Sequence, residues 1–262
     1  MALASKSLFT YGIQVTALNN KIDFKAASGG LTLTATLNLG FYSPASLAQE
    51  IAFEMQSVDT LGNIYSVSVN RTVMGGTQNR VIISTNGTFL SLLFGTGPNF
   101  NISASAIMGF NPSDYTGSTT YIGLFTTGST LIPEFIGYNY LDNTNQSKIF
   151  GAVNVSASGL KEAVTFNTQF FVNVEYKYEP KANLAAWKSF FLWSIQQRPF
   201  DFTPEIANPT NVLTVTLDST QYEDQGLGYQ MSEMLASQMP NFYETGPLKF
   251  RLIVNLTSFS GG

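Results

Sequence analysis

The chain has 262 residues, of which 44% are apolar and 13% aromatic but only 11% charged, with a net charge of −4; soluble domains average about 25% charged residues. It contains no cysteine and no histidine, which excludes disulfides, thiolate nucleophiles, Cys/His zinc sites and every His-based triad. No Lys/Arg cluster occurs either, so a nucleic-acid backbone would find no electrostatic footprint here.

A chain of this length accommodates two β-rich domains, each large enough to bury a core without staples. With so few charges, the surface must be covered by amides and hydroxyls or by other subunits. The opening MALASKSLFTYGIQV lacks the basic start and long apolar run of a signal peptide, and no apolar stretch reaches the roughly 18 residues of a membrane helix. A soluble protein with no membrane insertion is expected.

Residues 8–39 read as strands. LFTYGIQVTAL, an Asn19-Asn20 turn, KIDFKAA and a Gly29-Gly30 turn lead into LTLTATLNL, the period-two pattern with Asn and Gly punctuation typical of hairpins and meanders. Leu31, Leu33, Ala35, Leu37 and Leu39 should share the buried face. SPASLAQEIAFEMQSVD then reads as a helix near 44–58, capped by Ser43, with Pro44 at its first position. Leu47, Ile51, Met55 and Val58 form its apolar stripe; Glu50 and Glu54, one turn apart, are expected on the solvated face rather than in chemistry.

Strand patterns return as IYSVSVN, RVIIST and TFLSLLF. The glycine-bearing FGTGPNFN lacks the Gly-Lys-Ser/Thr of a phosphate-binding loop and is taken as a turn. From these patterns follow an N-terminal β-rich domain over 1–120, a linker or exposed loop over 121–150 and a C-terminal β-rich domain over 151–262. The expected fold is mainly β, sandwich- or barrel-like, with one amphipathic helix per domain. Asp142, Asn143 and Asn145 lie in the polar loop but lack the spacing and terminal glutamate of a calcium loop.

The second half centres on WKSFFLWSIQQRPFDFTPE. Leu184, Trp187, Phe191 and Ile195 recur at helical spacing, with Asn183 as cap and Pro199 as terminator of a helix near 184–198. Phe200 and Phe202 then alternate with Asp201 and Thr203 in a strand, which places Asp201 on an opposite, solvated face. Trp187, Phe191, Trp193, Phe200 and Phe202 are the structural or assembly candidates. Two carboxylate pairs near aromatics, Asp201 with Glu205 and Glu223 with Asp224, are the only candidates for glycoside chemistry. NVLTVTLDS and the final strand, with Leu248, Phe250, Leu252, Val254 and Leu256 on one face, complete the chain.

The run YGIQVTALNNKIDFKAASGGLTLTATLNLGFYSPASLAQEIAFEMQ, followed by YSVSVN, RVIIST, TFLSLLFGTGP and IMGFNPSDYTG, resembles structural proteins of tailed bacteriophages. AAWKSFFLWSIQQRPFDFTPE, YEDQGLGYQMSEML and TGPLKFRLIV are similar to tail-tip proteins in which a Trp-bearing helix precedes a Phe-rich strand, with Glu205 standing where an aspartate is expected. The resemblance implies a distal tail or baseplate ring protein. It also implies a homo-oligomeric ring joining the tail tube to hub or fibres, no cofactor, no enzymatic activity, assembly in the host cytoplasm and residence in the virion. A capsid or neck decoration protein and a carbohydrate-binding or depolymerising module are the competing readings.

Overall fold

The structure, a computed structural model, describes residues 7–70, 79–133, 146–155, 161–180, 183–204, 206, 211–218 and 245–254. In chain order the elements are β1 (Leu8–Tyr11), β2 (Ile13–Val15), β3 (Lys21–Lys25), β4 (Leu33–Thr36), β5 (Gly40–Tyr42), α1 (Pro44–Val58), β6 (Tyr65–Asn70), β7 (Arg80–Thr85) and β8 (Leu90–Leu93). A 3-10 turn at Phe100–Ile102 precedes β9 (Asp114–Ser118), β10 (Thr120–Ile122) and β11 (Ser129–Leu131). Then follow β12 (Gln146–Val155), β13 (Lys161–Pro180), α2 (Leu184–Ser194), β14 (Phe200–Thr203), β15 (Leu213–Leu217) and β16 (Thr245–Val254). The protein is mainly β, as expected, but among the described residues none of its sheets closes into a barrel.

The chain divides into two compact units, and neither is continuous in sequence. The first comprises Leu8–Leu131 and Pro199–Val212; the second comprises Met1–Ser7, Ile132–Arg198 and Leu213–Gly262. Within the first unit, antiparallel ladders run in the orders β4-β3-β8-β9, β10-β7-β6, β2-β5 and β11-β1-β14. Ile22, Phe24, Ile83 and Leu92 from the strands, with Phe94 just past β8, enclose Leu47, Ile51 and Met55 of α1 in one core. The helix starts where the sequence indicates, because Ser43 and Ser46 form a reciprocal capping box and Pro44 occupies the first turn.

Three expectations are corrected here. The Leu/Thr alternation outlasts its strand: β4 pairs with β3 only from Lys21↔Thr36 to Phe24↔Leu33. Ala35 and Leu37 are buried, whereas Leu31 is 87% and Leu39 62% exposed, since neither lies opposite a strand. The expected linker over 121–150 is partly structured, with β10 and β11 continuing the first unit as far as Leu131 and β12 beginning at Gln146. Third, β14 belongs to the first unit rather than with the aromatic helix. It pairs with β1 through Leu8↔Thr203, Phe9↔Phe202 and Thr10↔Asp201, and the Phe9 and Phe202 rings stack at 4.9 Å.

In the second unit the antiparallel order is β15-β16-β13-β12. Val172, Val174 and Tyr176 alternate as buried residues along β13, and Phe250, Leu252 and Val254 do so along β16, in the period-two pattern of a covered sheet face. Val172 lies opposite Leu252 and Val174 opposite Phe250, the cross-strand pairing that stabilises a sheet. Trp187 of α2 is fully buried, with its ring centroid 5.7 Å from both Tyr176 and Phe250 and 5.5 Å from Phe191.

The buried stripe of α2 is Trp187, Phe190, Phe191 and Ser194, at i, i+3, i+4 and i+7. Ile195, expected on that stripe, sits at the C-cap and is 42% exposed. The helix also stops before the residues next to Pro199. Gln197 adopts a positive φ of 58°, and its side-chain amide donates to the Leu217 carbonyl at 2.9 Å. Asn183 occupies the N-cap position but makes no side-chain capping bond.

Replacing Trp187 by Ala should destabilise the protein by about 3 to 5 kcal/mol through the cavity left behind. Denaturant unfolding of the full chain measures this, and an unchanged midpoint would contradict the packing described.

Candidate assembly surface

Among the described residues, most carboxylates are already engaged with the protein's own backbone. The loop of residues 95–99, GTGPN, presents amide donors in the manner of an anion-binding turn, but its donors are taken. Asp114 accepts from the Gly95 and Thr96 amides at 2.8 and 3.0 Å and from the Thr96 hydroxyl. Asp23, buried on β3, accepts from the Asn99 amide at 2.6 Å, the Asn99 side chain at 2.9 Å and Thr34 at 2.7 Å. A Cβ on Gly97 would lie 2.5 Å from Asp23 Oδ2, so the close approach requires glycine. Burial pushes the Asp114 carboxyl up, but the hydrogen bonds from Thr96 and Gly95 outweigh it and hold the group below its usual value.

Asp59, just past α1, is bound in the same way. It accepts from the Leu61 amide at 2.8 Å, the Asn63 side chain at 2.8 Å and the Tyr65 hydroxyl at 2.7 Å. Burial raises its pKa and these three bonds, led by that of Tyr65, lower it below the usual value. The phenol of Tyr65 is raised in turn, first by its own burial and then by the adjacent carboxylate.

Asp201 departs most from its expected place. It is 1% exposed rather than solvated, and its Oδ2 accepts from the Ala45 amide in the first turn of α1 at 3.2 Å. The first turn of α1 has no acidic residue of its own; the carboxylate needed at the positive helix end comes from a strand distant in sequence. All four residues of β14 are buried, so both faces of this short strand are covered. Glu205, Glu223, Asp224, Asp142, Asn143 and Asn145 lie outside the described residues.

Of the five aromatic candidates, Trp187 and Phe191 meet in the core of the second unit, and Phe200 and Phe202 are buried in the first. Trp193 is half-buried, and the Arg198 guanidinium lies 4.6 Å from its ring centroid, a cation–π contact.

Sequence reasoning singled out buried aromatics and passed over the exposed apolar ones. Ile122, Leu124 and Phe125 are 50%, 45% and 58% exposed within four consecutive positions. Their loop is held rigidly, since the Phe125 amide donates to Gly109 and a Cβ on Gly109 would meet the Phe125 carbonyl at 2.1 Å. On α1, Phe53 is 68% exposed between Glu50 and Glu54. The signal was present in the sequence, because Phe53 falls off the Leu47-Ile51-Met55 stripe.

Beside Phe53, the Asn38 side chain donates to Glu50 at 2.8 Å and Glu54 at 3.3 Å, and the Asn38 amide also donates to Glu50. Glu54 is held above the usual carboxylate value by burial and then by the charge of Glu50, with the Asn38 bond opposing both. Among the described residues no group of three or more Asp or Glu side chains gathers as a metal site, and no helix is long and apolar enough to cross a membrane. The chain matches no protein-family model and no curated protein.

Two predictions follow from this use of carboxylates. Asp201→Ala should cost about 1 to 3 kcal/mol, because it leaves the Ala45 amide without its charged acceptor; comparison of unfolding midpoints with the parent chain checks it. Asp114 has a folded pKa below its unfolded one, so its stabilisation is present above the unfolded value and is lost as pH falls through the lowered folded value. The amide signals of Gly95 and Thr96 should therefore hold constant through the ordinary carboxylate range and shift only at more acidic pH, and a shift within that range would contradict the loop geometry.

Proposed function

We propose that this protein is a structural subunit of a tailed-phage virion, a tail-tip or baseplate ring component that links the tail tube to hub or receptor-binding proteins through self-assembly. The observation that carries the assembly reading is the grouped exposure of the large apolar side chains Ile122, Leu124 and Phe125 on a chain with so few charges. Single exposed apolar residues are ordinary on any protein, whereas rigidly held groups of them suit contact with another surface. The carboxylates of Asp23, Asp59, Asp114 and Asp201 serve hydrogen bonds within the fold, which supports a structural role over hydrolysis. The phage tail assignment itself rests on the resemblance of the sequence segments described above.

Immunogold labelling of intact virions with antibody against this protein should mark the distal end of the tail. Label confined to the head or neck would replace this reading with a decoration protein, and an absence of label on any virion would end it.

A further inference from the structure

The two helices carry outer faces of complementary chemistry. On α1, Glu50, Phe53 and Glu54 lie on one side, since residues three and four apart are neighbours on a helix. Among the described residues both carboxylates bond only to Asn38, and no cation pairs with either. Like charges one turn apart repel, and the raised pKa of Glu54 reflects its burial and the neighbouring charge of Glu50.

On α2, Lys188, Leu192 and Ile195 recur at i, i+4 and i+7, turned away from the Trp187 core. Leu192 is 62% and Ile195 42% exposed, and Lys188 has no carboxylate partner among the described residues. One face is acidic around an exposed phenylalanine; the other is basic beside two exposed aliphatic side chains. The stripe from Lys188 to Ile195 spans about 10 Å of helix, enough to lie along the turn that bears Glu50, Phe53 and Glu54.

We propose that the α1 face of one copy docks on the α2 face of a second copy, with Glu50 and Glu54 flanking Lys188 and Phe53 packed against Leu192 and Ile195. This deepens the ring reading above and rests on it. The two patches differ, so the contact is heterologous: each added copy leaves one acidic and one basic face open until the rotation closes a ring. Ammonium and carboxylates neutralise each other as the apolar groups leave water, which gives both specificity and burial at one contact.

The chain's lack of cysteine makes the test direct. Full-length Glu54→Cys and Lys188→Cys variants, carrying different tags, should form a disulfide-linked heterodimer when mixed under mild oxidation. Each variant alone should not. By light scattering after size exclusion, Glu54→Lys should lower the assembled fraction at least tenfold, and adding Lys188→Glu to the same chain should restore it, with unfolding midpoints matching the parent. Assembly that persists in Glu54→Lys, or a charge reversal that fails to restore it, or no heterodimer, overturns this contact while leaving self-assembly by another surface. A parent chain that remains monomeric at high concentration overturns both the contact and the ring.

Discussion

A buried carboxylate holds the first unit in its arrangement. Asp201 reaches the N-terminus of α1 from a strand that arrives 156 positions later in the chain. A carboxylate enclosed without donors costs several kcal/mol, so β14 is stable where a backbone donor such as the Ala45 amide meets it. The open end of α1, already carrying the Ser43 capping box, offers that place. Once β14 is set beside β1, Phe202 stacks on Phe9, and strand pairing and aromatic packing reinforce the same position. The unit is therefore built around a segment that leaves the second unit at Pro199 and returns to it at Leu213.

The same device recurs at smaller scale. Asp114 and Asp23 clamp the two ends of the GTGPN loop, and Asp59 gathers the turn after α1. In each case a charged acceptor satisfies backbone or side-chain donors that would otherwise depend on water, and charge-assisted bonds of this kind are stronger than neutral ones. Loops fixed in this way can present apolar side chains in a defined geometry. Ile122, Leu124 and Phe125 stand instead on a segment held by backbone bonds from Gly123 to Val81 and from Phe125 to Gly109, and Phe53 stands on a capped helix. The scarcity of charge and the spending of carboxylates inside the fold are two sides of one economy, suited to a protein whose proposed work is contact.

The second unit depends on aromatic packing instead. Trp187, Phe190 and Phe191 lie within 5.7 Å of one another by ring centroids, and Phe250 and Tyr176 extend the cluster onto β16 and β13. Such rings bury large areas and favour tilted and edge-on contacts. This cluster leaves Leu192 and Ile195 outside, because the helix can bury only one stripe against a single sheet face.

What was legible in the sequence was local. Ser43 and Pro44 mark the start of α1, Leu47, Ile51 and Met55 its buried stripe, and the alternation of β16 its covered face; each depends on neighbours a few positions away. The burial of Trp187 and Phe191 was legible too, because bulky rings at helical spacing favour enclosure whatever covers them. Which residues cover them was not. Asp201 reads as solvent-facing by strand alternation, and only the approach of α1 makes its face an interior one. Leu31 and Leu39 continue a buried pattern that β3 is too short to cover. Sequence periodicity by itself determined which elements form and which side each turns inward when a partner is present. Tertiary structure alone decided which partners arrive, because pairing across 156 positions is set by complementary donors and shapes that no local window contains.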